Sequence, residues 1–371
     1  MNTCSKCILP DSHPDVNLNN GVCNFCNGFE NSRLSKLKVK GAEELSKLLK
    51  SKKTGQYDCV IGLSGGKDSS YILYYAVKIM KLAPLAVFFN NGLVVNEALE
   101  NVRDMCSKLD VDLITGHATK YRRKLIRKAL LLSKLRGKHV SHCVNCENNI
   151  RSFSLNQAKK FNVPFLLWGS TDYEDSTSSY ADKNTVAFKH SFGAKKSSFK
   201  KMISKGSNLL HSKMPLGKII VVTYHHLLYR IYTVLDNIKQ NSPVGLKVLD
   251  PQMGVSFDQN YTQVVYFFDY IAYNPLYMIE TLKKEIGWKA PTGKESRMDC
   301  KLHSISNYMH WKLTGITKDG FGMAALIRSG LMDRDEALRR ETILLDGLKE
   351  NAEKYSQELG VKDITKTAYS F

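Results

Sequence analysis

Ser64-Gly65-Gly66-Lys67-Asp68-Ser69 follows the short apolar run Cys59-Val60-Ile61-Gly62-Leu63 and leads into Ser69 to Leu82, whose apolar residues fall at helical spacing. A buried strand, a turn with two glycines and a helix therefore succeed one another. Paired glycines let the backbone approach an oxyanion closely, because no Cβ intervenes. Backbone N–H groups at the start of the helix supply donors and partial positive charge. Ser64 and Ser69 add hydroxyls, and Lys67 adds a point charge. The segment is an anion cradle, with an ordinary glycine-rich turn as the bland alternative. It is not the G-x-x-x-x-G-K-[ST] loop, since Ile61 stands at the first glycine and Asp68 follows Lys67. An aspartate there suits a magnesium-bridged pyrophosphate better than a grip on a terminal phosphate.

Outward from this loop, the chain alternates strands and helices. Leu85 to Phe89 is predicted as a second buried strand, Asn96 to Lys108 as a helix with Asn96 as N-cap, and Val111 to Thr115 as a third strand. Asn145 to Phe161 is predicted as a helix and Phe165 to Trp168 as a fourth strand. Short buried strands alternating with helices imply an α/β fold with a doubly wound parallel sheet. Ligands of such sheets bind at the carboxyl ends of the strands. Asn90 and Asn91 stand there, after the second strand. So do Gly169, Ser170 and Asp172, after the fourth. Tyr266 to Tyr273 is an aromatic-rich buried segment, Asn274-Pro275 opens a helix ending near Gly287, and Asp333 caps a final helix running to about Asn351.

The 371 residues allow two or three domains. The expected division is a cysteine-bearing segment at 1–30, a Lys-rich helical connector at 31–55, the sheet at 56–175, a basic insertion with an apolar helix at 176–240, and a helical C-terminal region at 241–371. The net charge of +19 suits an anionic partner, with Lys-rich coding bias as the alternative. No stretch of eighteen clean apolar residues occurs, and MNTCSKC has no apolar signal core. A cytoplasmic protein with no membrane span is expected, in which nine cysteines are not a disulfide framework.

Four of those cysteines form two pairs, Cys4-x2-Cys7 and Cys23-x2-Cys26, with fifteen residues between. That spacing can set four thiolates around one structural Zn²⁺, and Gly21 and Gly28 suit the turns required. Cys143-x2-Cys146 and Cys300 form a second set. They could hold a [4Fe–4S] cluster with one open iron, bind a second metal, carry persulfide, or be incidental. Cys59 and Cys106 fall on a strand and a helix face and read as core.

The loop resembles the S-G-G-x-D-S motif of the PP-loop, or N-type, ATP pyrophosphatases, a Rossmann-like superfamily. Trp168-Gly169-Ser170-Thr171-Asp172 resembles the segment that faces the nucleotide in those enzymes. The resemblance implies ATP and Mg²⁺ as ligands, nucleotide contacts from Ser64 through Ser69 with Asn90, Gly169 and Ser170, and catalytic roles for Lys67, Asp68 and Asp172.

Beyond the loop, the order of features resembles the N-acetyl sugar amidotransferases of bacterial surface-polysaccharide (lipopolysaccharide O-antigen) synthesis. The pieces are Cys4-Ser5-Lys6-Cys7 with Leu9-Pro10-Asp11, Gly21-Val22-Cys23-Asn24-Phe25-Cys26, Tyr57-Asp58-Cys59-Val60, Phe267-Phe268-Asp269-Tyr270, Gly287-Trp288-Lys289, Glu295-Ser296-Arg297, and Leu326 to Gly330 ahead of Arg334 to Leu338. This implies a synthetase that adenylates the acetamido oxygen of an N-acetylated sugar or nucleotide-sugar. Ammonia from a separate glutaminase subunit would then displace AMP. Glu295 and Arg297 are candidate substrate contacts, or a surface ion pair. The family pattern does not require Cys143, Cys146 and Cys300, and in that respect the chain resembles iron–sulfur tRNA thiolation enzymes of the same superfamily. Sulfur transfer to tRNA or a small molecule is the competing expectation.

Two basic stretches bear on the partner. No acidic residue occurs from Leu113 to Cys146, and Lys120 to Lys138 holds nine Lys and Arg. From Lys183 to Leu235 no acidic residue occurs either. Such stretches can meet RNA phosphates or a nucleotide-sugar, or be solvated faces. His225 and His226 fit a core or interface better than a ligand set.

Overall fold

The computed structural model describes residues 2–32, 34–52, 55–117, 143–171, 173, 262–290 and 300–359, with 143–149 as backbone only. The expectations for 176–240, the basic residues of 120–138 and 183–235, His225, His226, Asp172, Glu295 and Arg297 lie outside the described residues.

Five parallel strands form one sheet in the order β5-β4-β3-β6-β7. They are β3 (Cys59–Leu63), β4 (Pro84–Asn90), β5 (Leu113–His117), β6 (Phe165–Trp168) and β7 (Gln263–Tyr266). Ile61 pairs with Ala86 on one side and Leu167 on the other. Side chains alternate across the pleat. Ile61, Leu63, Ala86, Phe88 and Leu167 face a core completed by the helices α2 (Lys67–Tyr74), α3 (Asn96–Leu109) and α5 (Pro275–Ile286). Val60, Leu85, Val87 and Leu166 face the opposite core, under α4 (Cys143–Lys160). Helices on both faces explain why the strands read as unbroken apolar runs.

Three details differ from the sequence expectation. α3 starts at Asn96 itself, with Val95 at the cap and no side-chain cap bond. The third strand lies two residues later than predicted, at Leu113–His117. The first helix is α-helical only to Tyr74, then passes into a π-helical turn, Tyr75–Ile79. Cys59 and Cys106 are core residues, as expected. Burial pushes both thiols up, Cys106 to about 12.

The C-terminal helices carry the caps expected of them. Tyr277 N donates to Asn274 Oδ1 at 3.1 Å to open α5, and Gly287, at φ +64°, closes it. Asp335 N donates to Asp333 Oδ1 at 2.7 Å to open α8 (Arg334–Glu358). That helix runs seven residues past the predicted end (358 against 351). α6 (Leu302–Thr314) and α7 (Lys318–Arg328) pack beside it. Among the described residues no helix is long and apolar enough to cross a membrane. Helix α1 (Ala42–Lys50) anchors the connector through buried Leu45 and Leu49.

The N-terminal segment is built into this helical layer. Strands β1 (Leu18–Asn19) and β2 (Val22–Cys23) pair through the two-residue Asn20-Gly21 turn. Both turn residues have positive φ, which matches the twist of a hairpin. Ile8, Leu9 and Val16 share a core with Phe321, Ala324, Met332, Ala337 and Leu344.

A buried carboxylate locks α7 against α8. Glu341 accepts from Thr317 N at 2.8 Å and from Thr317 Oγ1 at 2.6 Å. A Cβ on Gly320 would lie 2.7 Å from both Glu341 Cδ and Ile316 Cγ1. Gly320→Ala should therefore displace the cap and cost about 2–4 kcal/mol. The shift of the urea midpoint at unchanged slope measures it; an unchanged midpoint would contradict the packing.

His13 and His310 lie at the same interface, with ring centroids 5.8 Å apart. Burial lowers each to about 4, against about 6.5 in an unfolded chain. The unfolded state then binds more protons between those values, so stability falls as pH drops from about 6.5 toward 4. Melting temperature followed across that window should fall, less steeply in His310→Gln. Equal slopes would contradict the assignment.

Candidate functional site

The connectivity places a switch point between β3 and β6. From β3 the chain moves outward to β4 and β5, then returns to the other side of β3 as β6. In sheets of this kind ligands bind at the carboxyl ends of the strands, in the crevice where the order reverses. Ser64 to Ser69 follows β3 on one side of it, and Gly169-Ser170 follows β6 on the other. The two segments touch, since a Cβ on Gly169 would lie 3.8 Å from Asp68 Cβ and 3.9 Å from Ser69 N.

The loop is tightly made. Gly65 has φ +81°, and a Cβ there would overlap the Ala98 carbonyl oxygen. Gly66 is the cap residue of α2, which has no side-chain cap bond. Ser64 N donates to Ser69 Oγ at 3.1 Å, and Gly66 N donates to Ser64 Oγ at 3.3 Å. The two hydroxyl oxygens are 3.2 Å apart. Both serines thus line the loop's inner side.

Lys67 Nζ is 2.7 Å from Asp68 Oδ2 and lies 5.5 Å from the centre of the Tyr273 ring. Tyr273 stacks on Tyr173 at 5.3 Å with an interplanar angle of 18°. This cation and carboxylate, partly exposed beside an aromatic wall, form the electrostatic centre of the crevice. Trp168 Nε1 donates to Ser170 Oγ at 2.8 Å. Asn90 Oδ1 accepts from Gly92 N at 2.8 Å, and Asn91 Oδ1 accepts from Leu93 N at 2.8 Å. Their carbonyl oxygens shape the turn after β4.

Sequence reasoning missed three residues here. Trp288 Nε1 donates to Gly65 O at 3.0 Å. Asn101 Nδ2 lies 3.5 Å from the same oxygen. Tyr273 was visible only as part of an aromatic run. Gly287-Trp288-Lys289 stood out as a run of sequence, but nothing local said what it touches.

The first cysteine set comes together. All four Sγ atoms of Cys4, Cys7, Cys23 and Cys26 lie within 4.8 Å of one another, a group that could hold a metal ion. Cys4 and Cys26 are 3.8 Å apart, and Cys7 and Cys23 are 3.7 Å apart. Hydrogen bonds from Cys26 and Cys7 push the Cys23 thiol down, and the same contact with Cys23 pushes Cys26 up. The neighbours resist a second negative charge that a cation would balance. Arg334 donates to the carbonyls of Cys7 at 3.1 Å and Cys4 at 3.3 Å, tying both knuckle residues to α8.

α4 begins at Cys143 and carries Cys146 in its first turn. A helix joining parallel strands runs opposite to them, so that start lies at the carboxyl end of the sheet. Cys300 packs against the cluster that includes Leu93, Leu302 and Met309, and Lys301 N donates to Leu93 O at 2.8 Å just beyond β4. The three positions therefore share one end of the sheet; the side chains of Cys143 and Cys146 lie outside the description.

No protein-family model matches the chain. A 75-residue stretch is 39% identical to an uncharacterized protein of Methanocaldococcus jannaschii. It makes up 20% of this chain and 27% of that protein, so the chain spans about a quarter of the length of that curated relative. Among solved structures, the NMN synthetase from Francisella tularensis overlaps 42% of this chain and 55% of its own, at 16% identity and a TM-score of 0.25. The NH3-dependent NAD synthetase from Campylobacter jejuni overlaps 49% of this chain and 89% of its own, at 15% identity and a TM-score of 0.29. These are partial overlaps; the fold above rests on the chain's own strands, and the activities stay with those proteins.

Proposed function

We propose that this chain is an ATP-dependent ligase of the kind that releases AMP and pyrophosphate. The observation that carries the reading is the glycine loop at the switch point, held open by Gly65 and flanked by Lys67 and Asp68. Such a loop grips a pyrophosphate, the group that leaves when the α-phosphate is transferred. Asp68, with Asp172, would hold Mg²⁺, which neutralises charge on that leaving group. Lys67 would leave its partner Asp68 and bind the departing phosphates. Gly169 lets the strand after β6 come close to the loop, and Ser170 would contact the nucleotide.

The preferred acceptor is an N-acetylated sugar, free or nucleotide-linked. Its acetamido oxygen attacks the α-phosphorus, the bond to the β-phosphate oxygen breaks, and an O-adenylyl imidate and pyrophosphate form. Ammonia then adds to the imidate carbon and AMP leaves, giving an acetamidine. A separate glutaminase would supply the ammonia in the cytoplasm. Glu295 and Arg297 would contact the sugar. In support, the described residues on either side, Lys289 and Lys301, are bonded to Asn101 and Leu93 near the crevice.

The four-cysteine cluster is proposed as a structural zinc site. A tetrahedron with Zn–S arms of ~2.3 Å has edges of about 3.8 Å, close to the observed 3.7 and 3.8 Å. Four thiolates leave no position for a substrate, so this metal does no chemistry.

Sulfur transfer to tRNA or a small molecule is the second reading; in its support, the helix start at Cys143 and the Lys301–Leu93 contact next to Cys300 lie toward the same end of the sheet. An acetamido sugar labelled with ¹⁸O at its carbonyl separates the cases when turned over with ATP, Mg²⁺ and ammonium. The label should appear in AMP, and the labelled sugar should fall in mass by about three units as NH replaces ¹⁸O. No label in AMP would sink acetamido activation. Turnover only with a sulfur donor and thioamide product would move sulfur transfer to first place.

A further inference from the structure

We infer that Trp288 and Asn101 are positioning residues for the phosphate loop, and that together they fix the orientation of the Gly65–Gly66 peptide. The inference rests on the reading of that loop as a pyrophosphate cradle.

A trans peptide is planar, with its C=O and N–H pointing to opposite sides. The plane between Gly65 and Gly66 carries the Gly65 carbonyl on one side and the Gly66 N–H on the other. Gly66 N faces the inner side of the loop, where it donates to Ser64 Oγ at 3.3 Å. The Gly65 carbonyl faces outward and accepts from Trp288 Nε1 at 3.0 Å, with Asn101 Nδ2 3.5 Å away. Both partners are buried, Trp288 at 6% and Asn101 at 3% exposure. With a glycine on each side, that plane can rotate at little steric cost. A rotated plane would aim a carbonyl oxygen, rather than an N–H, at the bound anion. Holding the oxygen from behind keeps the donor forward.

The clamp is itself supported. Gly287 closes α5 with its N–H on Lys283 O, and the next N–H, of Trp288, returns to Leu282 O at 3.1 Å. This double closure aims the chain at the loop. Lys108 Nζ on α3 donates to Ile286 O at 2.8 Å and ties the two helices together there. Asn101 also accepts from Lys289 N and donates to Lys289 O, both at 3.0 Å, so its amide is fixed in orientation. A residue some 220 positions along the chain thereby sets the geometry of a loop near its start.

The experiment is calorimetric titration of the full chain with Mg-pyrophosphate and, separately, with adenosine. Trp288→Phe keeps the ring and removes the donor. Asn101→Asp keeps the shape and the acceptor and removes the amide donors. Each should weaken Mg-pyrophosphate binding about fivefold to twentyfold, the scale of one buried hydrogen bond. The double variant should lose more than either. Adenosine, which carries no phosphate, should bind each variant as it binds the wild type. Unchanged pyrophosphate affinity in both single variants overturns the inference. Equal losses for pyrophosphate and adenosine also overturn it, because they show general loosening. A wild-type chain that binds neither probe overturns the ATP reading itself, and the positioning role with it.

Discussion

Gly65→Ala is expected to lower the rate of AMP formation at least about a hundredfold, equivalent to roughly 3 kcal/mol of lost transition-state stabilisation. Gly65 has φ +81°, where an L side chain is strained, and the new Cβ would overlap the Ala98 carbonyl oxygen and lie 2.9 Å from Ala98 Cα. Ala98 is fully buried in α3 and cannot retreat. The loop must therefore move, and with it the N–H groups aimed into the cradle. Steady-state rates and a melting curve should be taken together, since the same clash costs stability. Activity within about fivefold of wild type would mean that the loop is not the reacting site.

The second large effect concerns the thiolate cluster. On the proposed zinc reading, Cys23→Ala or a strong chelator should lower the melting temperature by more than about 10 °C. Structural zinc contributes on the order of 10 kcal/mol of binding free energy to folding in small thiolate sites. Here the loss would spread, because Cys4, Cys7 and Cys23 lie in one core with Phe321, Ala324 and Leu344. Arg334 holds the carbonyls of Cys4 and Cys7 from the first turn of α8. Far-UV circular dichroism should therefore show helix lost as well as the knuckle. Metal removed completely with melting unchanged would show that the cluster is not structural.

Much of the sheet was legible because buried parallel strands are short unbroken apolar runs, as Cys59–Leu63 and Phe165–Trp168 are. The glycine loop was legible for a similar reason: its glycines, serines, Lys67 and Asp68 are contiguous, and their chemistry is local. The paired CxxC spacing announced a cluster that the fold assembles. What was not legible depends on distance along the chain. β7 pairs with β6 from about 100 residues away, Val264 beside Leu166, and its four residues alone look like the start of an aromatic loop. Asn96 has a capping side chain, yet Val95 takes the cap because the helix starts one residue earlier than the side chain suggests. Trp288 and Asn101 reach Gly65 only through the packing of α5 on α2 and its tie to α3 at Lys108, which no local pattern encodes.

The central claim is that the loop binds a leaving pyrophosphate and so directs cleavage between the α- and β-phosphates of ATP. The most direct measurement is ³¹P NMR of ATP turned over by the purified full chain with Mg²⁺, ammonium and an acetamido sugar. AMP and pyrophosphate in equal amounts, formed only when the acceptor is present, are the predicted result. ADP and inorganic phosphate would contradict it.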